Sequence, residues 1–328
     1  MAILLTGAAG FIGSHLTEKL LSAGQVVIGL DNFDDQYDPA RKHHNVQAFQ
    51  EHPLFHCVPG DVRDQAMLTD VLRRYQCHTV VHLAARTGVR TSVHEPALCL
   101  DVNINGTLAL LEAMRTANVR RLVMASSSSV YGNSPNTPFR EDDPASQPLS
   151  PYAMSKRSAE LLAHTYHHLY GLDISCLRFF TVYGPRQRPE MAISQFAEKI
   201  DAGRAITLFG DGLSARNYTH VYDIVKGINC ALRHLNRFNI INISGAGSVT
   251  LIELVRLIEK AVGREAIIDW QPAQAGDVRL TCADLQCAFD DIGYSPSIPI
   301  EEGITRFVQW YRQTKASQQL NYGKLMSK

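Results

Sequence analysis

A tyrosine and a lysine stand four positions apart in the stretch Tyr152–Lys156. On a helix, two side chains at this spacing share one face. A lysine ammonium beside a phenol stabilises the phenolate and lowers the tyrosine pKa, and a hydroxyl from the upstream run Ser126–Ser129 can hydrogen-bond the same substrate oxygen. The pattern predicts proton transfer by Tyr152 coupled to hydride transfer, although the spacing alone is also compatible with an ordinary surface helix.

The N-terminal segment has the strand, glycine loop and helix that a dinucleotide-binding fold requires. The apolar run Ala2–Leu5 predicts a buried parallel strand. It leads into Gly7, Gly10 and Gly13, and then into a helical pattern. Gly7 permits a tight turn, Gly10 lets a pyrophosphate approach the helix N-terminus, and Gly13 allows close helix packing. The spacing is G-x-x-G-x-x-G, which differs from the usual G-x-G-x-x-G.

A second predicted strand, Val26–Leu30, ends at an acidic residue, Asp31. A carboxylate at this position accepts hydrogen bonds from the adenosine ribose hydroxyls and repels a 2′-phosphate, which favours NAD over NADP. Arg41 and Lys42 follow downstream and could instead bind the 2′-phosphate of NADP. Asp31 could instead be a helix cap or loop residue.

Composition and charge favour a soluble enzyme. The 328 residues are 45% hydrophobic and 20% charged, which suffices for two lobes with substantial cores. Lys plus Arg and Asp plus Glu both total 32, so neither nucleic acid nor an anionic membrane is an expected partner. We found no signal-peptide pattern and no apolar run of about 18 residues, so we predict a cytoplasmic protein without a membrane span.

Cysteines and histidines show no metal-ligand spacing. The seven cysteines include no C-x-x-C pair, and the thirteen histidines include no H-E-x-x-H. We therefore expect neither a metal site nor a disulfide framework.

Apolar runs alternate with helical patterns along the first half of the chain, which predicts an α/β fold with a doubly wound parallel sheet of the Rossmann type. We assign residues 1–178 to an NAD-binding domain, to which the chain returns around 217–246, and residues 179–328 to a smaller substrate-binding lobe. Two helices are predicted in that lobe, at Leu251–Val262 and Ile304–Tyr311. The other predicted strands are Val80–Leu83, Leu122–Ala125 and Ile174–Leu177.

Several motifs in order resemble one family over nearly the whole chain. They are GAAGFIGSH, Asp61-Val62, HLAA, SSSSVYG, SPYAMSK, RFFTVYGP and GDGLSARNYTHVYD. The chain resembles the extended short-chain dehydrogenases that epimerise, dehydrate or decarboxylate nucleotide sugars. The resemblance implies that Tyr152 is the base, that Lys156 binds the nicotinamide ribose, and that Ser127 hydrogen-bonds the reacting sugar hydroxyl.

The resemblance also implies the binding residues and the partners, which are a UDP-sugar substrate and a second copy of the chain in a homodimer. The expected NAD-binding residues are Gly7, Gly10, Phe11, Ile12, Gly13, Asp31, Asn32, Asp61, Val62, Leu83, Ala84, Ala85, Asn103, Tyr152 and Lys156. The expected substrate-binding residues are Ser127, Ser128, Arg90, Thr181, Arg188, Arg216 and Asp277.

The residues after Ser127 indicate the reaction. Dehydrating members carry Asp-Glu, and decarboxylases often a Glu, where this chain has Ser128 and Ser129, so oxidation followed by reduction, a 4-epimerisation, is favoured. The segment Arg178–Met191 resembles UDP-glucuronate 4-epimerases, including a Thr at 181 where UDP-galactose 4-epimerases typically carry Asn. A guanidinium can bind the C6 carboxylate of a uronic acid; Arg188 and Arg186 both remain candidates.

The resemblance thus implies conversion of UDP-glucuronate to UDP-galacturonate through a transient 4-keto sugar, with NAD retained. The alternatives are a UDP-glucuronate decarboxylase or a UDP-glucose 4-epimerase of the same fold. A non-enzymatic NAD-binding regulator is disfavoured, because such proteins commonly lose the catalytic Tyr or Lys.

Overall fold

The computed structural model describes residues 2–272 and 279–326, with side chains described up to residue 316. The strands are β1 (Ala2–Thr6), β2 (Val26–Asp31), β3 (Phe55–Pro59), β4 (Cys77–His82), β5 (Arg121–Ser127), β6 (Asp173–Phe179), β7 (Val182–Tyr183), β8 (Ile206–Phe209), β9 (Ala215–Arg216), β10 (Thr219–His220), β11 (Phe238–Ile243), β12 (Val249–Thr250) and β13 (Ile268–Gln271).

Helices separate most of these strands. They are α1 (Phe11–Ser22), α2 (Pro39–Gln47), α3 (Gln65–Arg74), α4 (Val89–His94), α5 (Pro96–Leu100), α6 (Gly106–Ala117), α7 (Pro151–Tyr170), α8 (Ala192–Asp201), α9 (Val221–Arg233), α10 (Leu251–Val262), α11 (Gln286–Ile292) and α12 (Ile300–Met326). A π-helical turn, Asp101–Asn105, joins α5 to α6, and a 3-10 turn, Ser128–Tyr131, follows β5.

Seven strands of the described residues form one parallel sheet in the order β11-β6-β5-β4-β1-β2-β3. The predicted α/β doubly wound fold is confirmed. The strand order reverses between β1 and β4, and this switch point is where such sheets bind ligands, at the carboxyl ends of the strands. Strand β11 lies within the segment 217–246, whereas the domain boundary at residue 178 stays a prediction.

Alternate residues of the strands face the two sides of the sheet. In β1, Ile3 and Leu5 pack into one apolar cluster with α1 and α9, whereas Leu4 packs into the other with α3 and α6. Because both faces are covered by helices, the central strands are apolar throughout.

The later part of the chain has its own apolar core. It lies between α8, α10 and α12 and includes Phe196, Ile206, Leu254 and Phe307. Helix α10 begins with a reciprocal cap between Thr250 and Glu253 and covers the predicted range. Helix α12 extends beyond the predicted Ile304–Tyr311 in both directions.

One helical segment is long and apolar enough to cross a membrane by length and composition. It is Pro96–Ala117, whose mean hydropathy is 1.2. Leu110, Leu111 and Met114 of this segment are fully buried against the sheet. The sequence analysis predicted no such span, and this packing is typical of a core helix.

Candidate active site

A cavity of about 460 Å³ lies at the carboxyl ends of β1 to β6. It spans the switch point, with the loops after β1 and β4 at its centre. Most of the predicted site residues line it. These are Gly7, Gly10, Phe11, Ile12, Gly13, Asp31, Asn32, Asp61, Val62, Leu83, Ala84, Ala85, Ser127, Ser128, Tyr152, Lys156, Thr181 and Arg188.

The glycine loop brings backbone close to backbone. Gly7 has φ +73°, and a Cβ there would lie 2.7 Å from the Ala84 nitrogen. At Gly13 a Cβ would lie 2.0 Å from the Gly7 oxygen. Side chains are therefore excluded where the loop passes under α1, whose first residues, Phe11, Ile12 and Gly13, line the cavity. This arrangement fits the pyrophosphate of a dinucleotide.

The ends of β2 and β3 supply acidic side chains. Asp31 accepts hydrogen bonds from the backbone N–H groups of Ala9 (3.0 Å) and Phe33 (2.9 Å). Burial raises the pKa of the Asp31 carboxyl, opposed by the charge of Lys42. Each carboxylate oxygen keeps a lone pair for another donor, so Asp31 fits a ribose hydroxyl. Hydrogen bonds from Arg63 hold the pKa of Asp61 to about 2.

Helix α7 positions Tyr152 and Lys156 together. Its first turn is fixed by Pro151 and by Ser150, whose hydroxyl accepts a hydrogen bond from the Ala153 N–H (3.1 Å). The Lys156 ammonium donates to the Ala125 carbonyl at the end of β5 (2.9 Å). The predicted Tyr–Lys pair therefore faces the carboxyl edge of the sheet.

The pKa of Tyr152 differs from the sequence-based expectation. Burial raises it, and the hydrogen bond with Ser127 and the charge of Arg188 lower it only in part. Burial also lowers the pKa of Lys156 to about 8. The lowered Tyr152 pKa that we predicted from Lys156 is therefore wrong, because desolvation of the phenol outweighs the hydrogen bond with Ser127 and the charge of Arg188.

Two residues of the serine run, Ser126 and Ser127, have different contacts. Ser127 caps the 3-10 turn by accepting a hydrogen bond from the Ser129 N–H (3.2 Å), and it hydrogen-bonds Tyr152. Ser126 instead donates to Glu160 of α7 (2.6 Å). Ser127 thus faces the tyrosine, whereas Ser126 ties β5 to α7.

Asn103 does not line the cavity, in contrast to its predicted contact with the cofactor. Its side-chain oxygen accepts from the Arg86 N–H (2.8 Å), and its amide donates to the Arg86 carbonyl (3.0 Å) and to Ser155 Oγ (2.9 Å). The π-helical turn that carries Asn103 thus connects the loop after β4 to α7. The Asn103 side chain is hydrogen-bonded to both elements, and its contact with the cofactor stays a prediction.

The two candidate arginines point in different directions. Arg186 has φ +66° and pairs with Glu18 of α1 (2.6 Å), beside a hydrogen bond from His15 to the Pro185 carbonyl (2.8 Å). Arg188 lines the cavity, where it pairs with Glu190 (2.9 Å) and its charge acts on Tyr152. The contact with α1 therefore turns Arg186 away and leaves Arg188 facing the cavity.

Three residues expected at the nucleotide end are elsewhere or undescribed. Arg90 of α4 lines a neighbouring cavity, with its guanidinium 5.9 Å from the Phe209 ring centroid. Arg216 lies in β9 and donates to the Ala215 carbonyl (3.0 Å). Neither lines the main cavity, and Asp277 lies outside the described residues. Their predicted roles stay predictions.

The sequence analysis missed several lining residues. They are Asp34, Gln36 and Tyr37 in the loop after β2, Thr87 after β4, and Gln187 and Met191 near Arg188. No periodic signal marks a loop residue as cavity-facing. Lys42 was considered as a phosphate contact; it lines the cavity but pairs with Asp34 (2.5 Å).

Charge is distributed unevenly around the cavity. Among its described lining residues, the carboxylates Asp31, Asp34 and Asp61 all follow β2 or β3. The opposite side, after β5 and β6, presents the hydroxyls of Ser127 and Thr181 together with Arg188. A polar, anionic group fits beside Tyr152. The described carboxylate on this side is Glu190, which pairs with Arg188 (2.9 Å) and does not line the cavity.

Comparison with known proteins identifies a family and many relatives, including three with nearly the same length as this chain. The family described as GDP-mannose 4,6 dehydratase matches residues 4–307. A UDP-glucuronate 4-epimerase of Thermodesulfobacterium geofontis is 42% identical over 94% of this chain and 96% of its own length. The crystal structure of UDP-glucuronic acid 4-epimerase from Bacillus cereus in complex with UDP-glucuronic acid and NAD is 34% identical, with a TM-score of 0.90 over 96% of this chain and 100% of that one. UDP-glucose 4-epimerase of Thermotoga maritima with UDP-glucose is 31% identical, with a TM-score of 0.87 over 96% and 99%.

Proposed function

Because the chain belongs to the family described as GDP-mannose 4,6 dehydratase, within the extended short-chain dehydrogenases, we propose that it is an NAD-dependent epimerase that converts UDP-glucuronate to UDP-galacturonate. The observation that carries this proposal is the position of Arg188 in the same cavity as Tyr152 and Thr181. A guanidinium and a hydroxyl beside the base fit the C6 carboxylate of a uronic acid.

Each residue near Tyr152 has a distinct task in this reaction. NAD held in this cavity would supply the acceptor for the hydride of C4 and, after reduction, the donor of a hydride to the other face of the 4-keto sugar. Tyr152 takes the proton of the C4 hydroxyl and gives it back on reduction, while Ser127 hydrogen-bonds the same oxygen. The Lys156 ammonium, fixed by the Ala125 carbonyl, binds the nicotinamide ribose.

Two competing reactions of the family, dehydration and decarboxylation, are disfavoured for different reasons. Dehydration requires an acid to protonate the leaving hydroxyl, and the lining carboxylates lie after β2 and β3. The 4-keto intermediate is a β-keto acid, which loses carbon dioxide when its carboxylate bond aligns with the carbonyl π system. Arg188 and Thr181 hold the carboxylate near the plane of the ketone and so prevent this alignment.

Proton NMR of the purified protein with UDP-glucuronate, without added NAD, tests the proposal. We expect the anomeric signal of UDP-galacturonate to appear without net absorbance from NADH. A UDP-pentose would instead indicate decarboxylation, and conversion of UDP-glucose alone would indicate the neutral-sugar epimerase. Absence of turnover with every UDP-hexose would contradict the epimerase assignment.

Substituting Arg188 tests the carboxylate contact. We expect Arg188→Ala to raise the KM for UDP-glucuronate by about 100-fold, because a charge-assisted hydrogen bond contributes about 1.5–3 kcal/mol, with a smaller effect on kcat. Steady-state kinetics would measure both.

The matched control for Arg188→Ala is Arg186→Ala. This variant also removes a guanidinium two residues away, but one that pairs with Glu18 outside the cavity. We expect its KM to change little. An unchanged KM in Arg188→Ala, or an equal rise in Arg186→Ala, would contradict the assignment of the carboxylate to Arg188.

The proposal includes assembly and location. We infer a homodimer through α6 and α7, two helices that contact each other and expose Leu108, Leu161 and Leu169 to solvent. Leu110 and Leu111 of α6 are buried in the core instead. The cysteines are free, which is compatible with the reducing cytoplasm.

A further inference from the structure

The corner of the cavity after β2 contains cations as well as the ribose-binding acid. Lys42 of α2 lies with its ammonium 3.9 Å from Asp31, and it is 8% exposed. Arg86, in the loop after β4, lines the neighbouring cavity, reaches this corner through its ion pair with Asp34 (3.1 Å) and is almost as buried. Lysine and arginine are the residue types that bind the 2′-phosphate of NADP. A single acid, Asp31, therefore does not by itself explain a preference for NAD at this corner.

A second acid, Asp34, binds both cations. One of its carboxylate oxygens accepts from the Lys42 ammonium (2.5 Å), and the other accepts from the Arg86 guanidinium (3.1 Å). The loop holds Asp34 in this position, since its N–H donates to the Asn32 side chain (3.1 Å). Arg86 is also paired with Glu95 (2.7 Å). Both cations are thus neutralised by fixed carboxylates.

We propose that Asp34 determines cofactor specificity by occupying the two cations, Lys42 and Arg86, that would otherwise bind the 2′-phosphate of NADP. Asp34 and Lys42 both line the cavity, so a phosphate entering this corner meets the carboxylate as well as the ammonium. The phosphate would have to displace Asp34 and also lie near its charge, which is unfavourable at this short range. This inference rests on the proposed NAD site and adds a second specificity residue to Asp31.

The test is the nucleotide that the full-length protein retains. Wild type and Asp34→Asn would be equilibrated with equimolar NAD and NADP and freed of unbound nucleotide. The bound nucleotides would then be released by denaturation and quantified by chromatography. We expect the retained NADP-to-NAD ratio to rise about tenfold or more in Asp34→Asn, because a charge-assisted contact replaces a repulsive one. An unchanged ratio with NAD still bound would overturn the proposal.

Two further variants separate this mechanism from a general change in charge. Asp35→Asn removes an exposed acid from the next position, and we expect it to change the ratio by no more than about twofold. Asp34→Asn combined with Lys42→Gln and Arg86→Gln should return the ratio toward that of wild type. An equal gain in Asp35→Asn, or a gain that persists without both cations, would contradict the proposal.

The outcomes distinguish this inference from the proposed function. If wild type retains neither nucleotide, the proposed NAD-dependent function fails. If wild type retains NAD and the Asp34 variants keep its selectivity, only the role of Asp34 fails. Asp34→Ser, a smaller neutral substitution, provides the same comparison should Asp34→Asn fail to fold.

Discussion

Tyr152→Phe should lower the turnover of UDP-glucuronate by about 10²–10⁴-fold, the range typical of a lost general acid–base group. The substitution removes one hydroxyl from the N-terminal turn of α7 and leaves Ser127, Lys156 and Arg188 in place. We therefore expect retained NAD and the affinity for UDP-glucuronate to stay near their wild-type values. NMR turnover, nucleotide release and calorimetric titration would measure the three quantities.

Tyr37→Phe is the matched control, since Tyr37 is a second phenol in the same cavity. Burial and the charge of Asp31 raise the pKa of Tyr37 to about 12, so this phenol is poorly suited to act as a base. Arg188 lowers the pKa of both phenols, but only Tyr152 also has the hydrogen bond with Ser127 that opposes the effect of burial on its pKa. We expect a much smaller loss in Tyr37→Phe. Comparable losses in both variants would show that the cavity requires hydroxyls in general and would refute the role of Tyr152 as the base.

Arg178→Met should destabilise the fold by about 3–5 kcal/mol, because it leaves a buried carboxylate without its main partner. Arg178 and Glu160 are 0% and 1% exposed, and the guanidinium donates to both carboxylate oxygens at 2.8 and 2.9 Å. Glu160 also accepts from Ser126, so the pair joins β5, β6 and α7. Urea unfolding would measure the loss in the free energy of unfolding.

Arg157→Met removes a second guanidinium from the same carboxylate and serves as the control. Arg157 donates to Glu160 at 2.9 Å, but its side chain is 24% exposed, so we expect a loss below about 1 kcal/mol. Equal losses in the two variants would contradict a special contribution from the buried pair.

The pH dependence of the same variants gives an independent check. Burial raises the pKa of Glu160, but the hydrogen bonds and charge of Arg178 outweigh it, so the pKa lies below its ordinary value of 4.5. A carboxylate with a lowered folded-state pKa contributes stability that is present above the unfolded-state pKa and lost as the pH falls through the folded-state pKa. The difference between wild type and Arg178→Met should therefore be largest near neutral pH and narrow in acid.

The cofactor half of the site was largely predictable from sequence. Gly7 follows β1 and Asp31 ends β2, two strands that apolar runs identify, and Gly13 lies in the first turn of the helix between them. The parallel arrangement of such strands places their carboxyl ends at one edge. The pairing of Tyr152 with Lys156 depends only on helix geometry. These features follow from the spacing of residues that are close in the chain, which a single sequence shows directly.

Other features depend on contacts between distant segments. Arg186 and Arg188 are equivalent in sequence, and α1 separates them by pairing Glu18 with Arg186 and by a hydrogen bond between His15 and Pro185, which are 170 positions apart. Asn103 was expected at the cofactor, but its amide is used by the loop after β4 and by α7. Neither the orientation of the two arginines nor the hydrogen bonds of Asn103 can be read from the spacing of residues in the sequence.

The sequence by itself therefore determined the sheet, the glycine loop, the Tyr–Lys pair and the class of reaction. The tertiary structure alone decided which arginine lines the cavity, that Asp34 neutralises Lys42 and Arg86, and that burial dominates the pKa of Tyr152. The physical reason is the separation along the chain of the residues that interact. Secondary structure and strand order follow from periodicity over a few residues, whereas charge pairing and desolvation depend on which distant side chains the folded chain brings within a few ångströms.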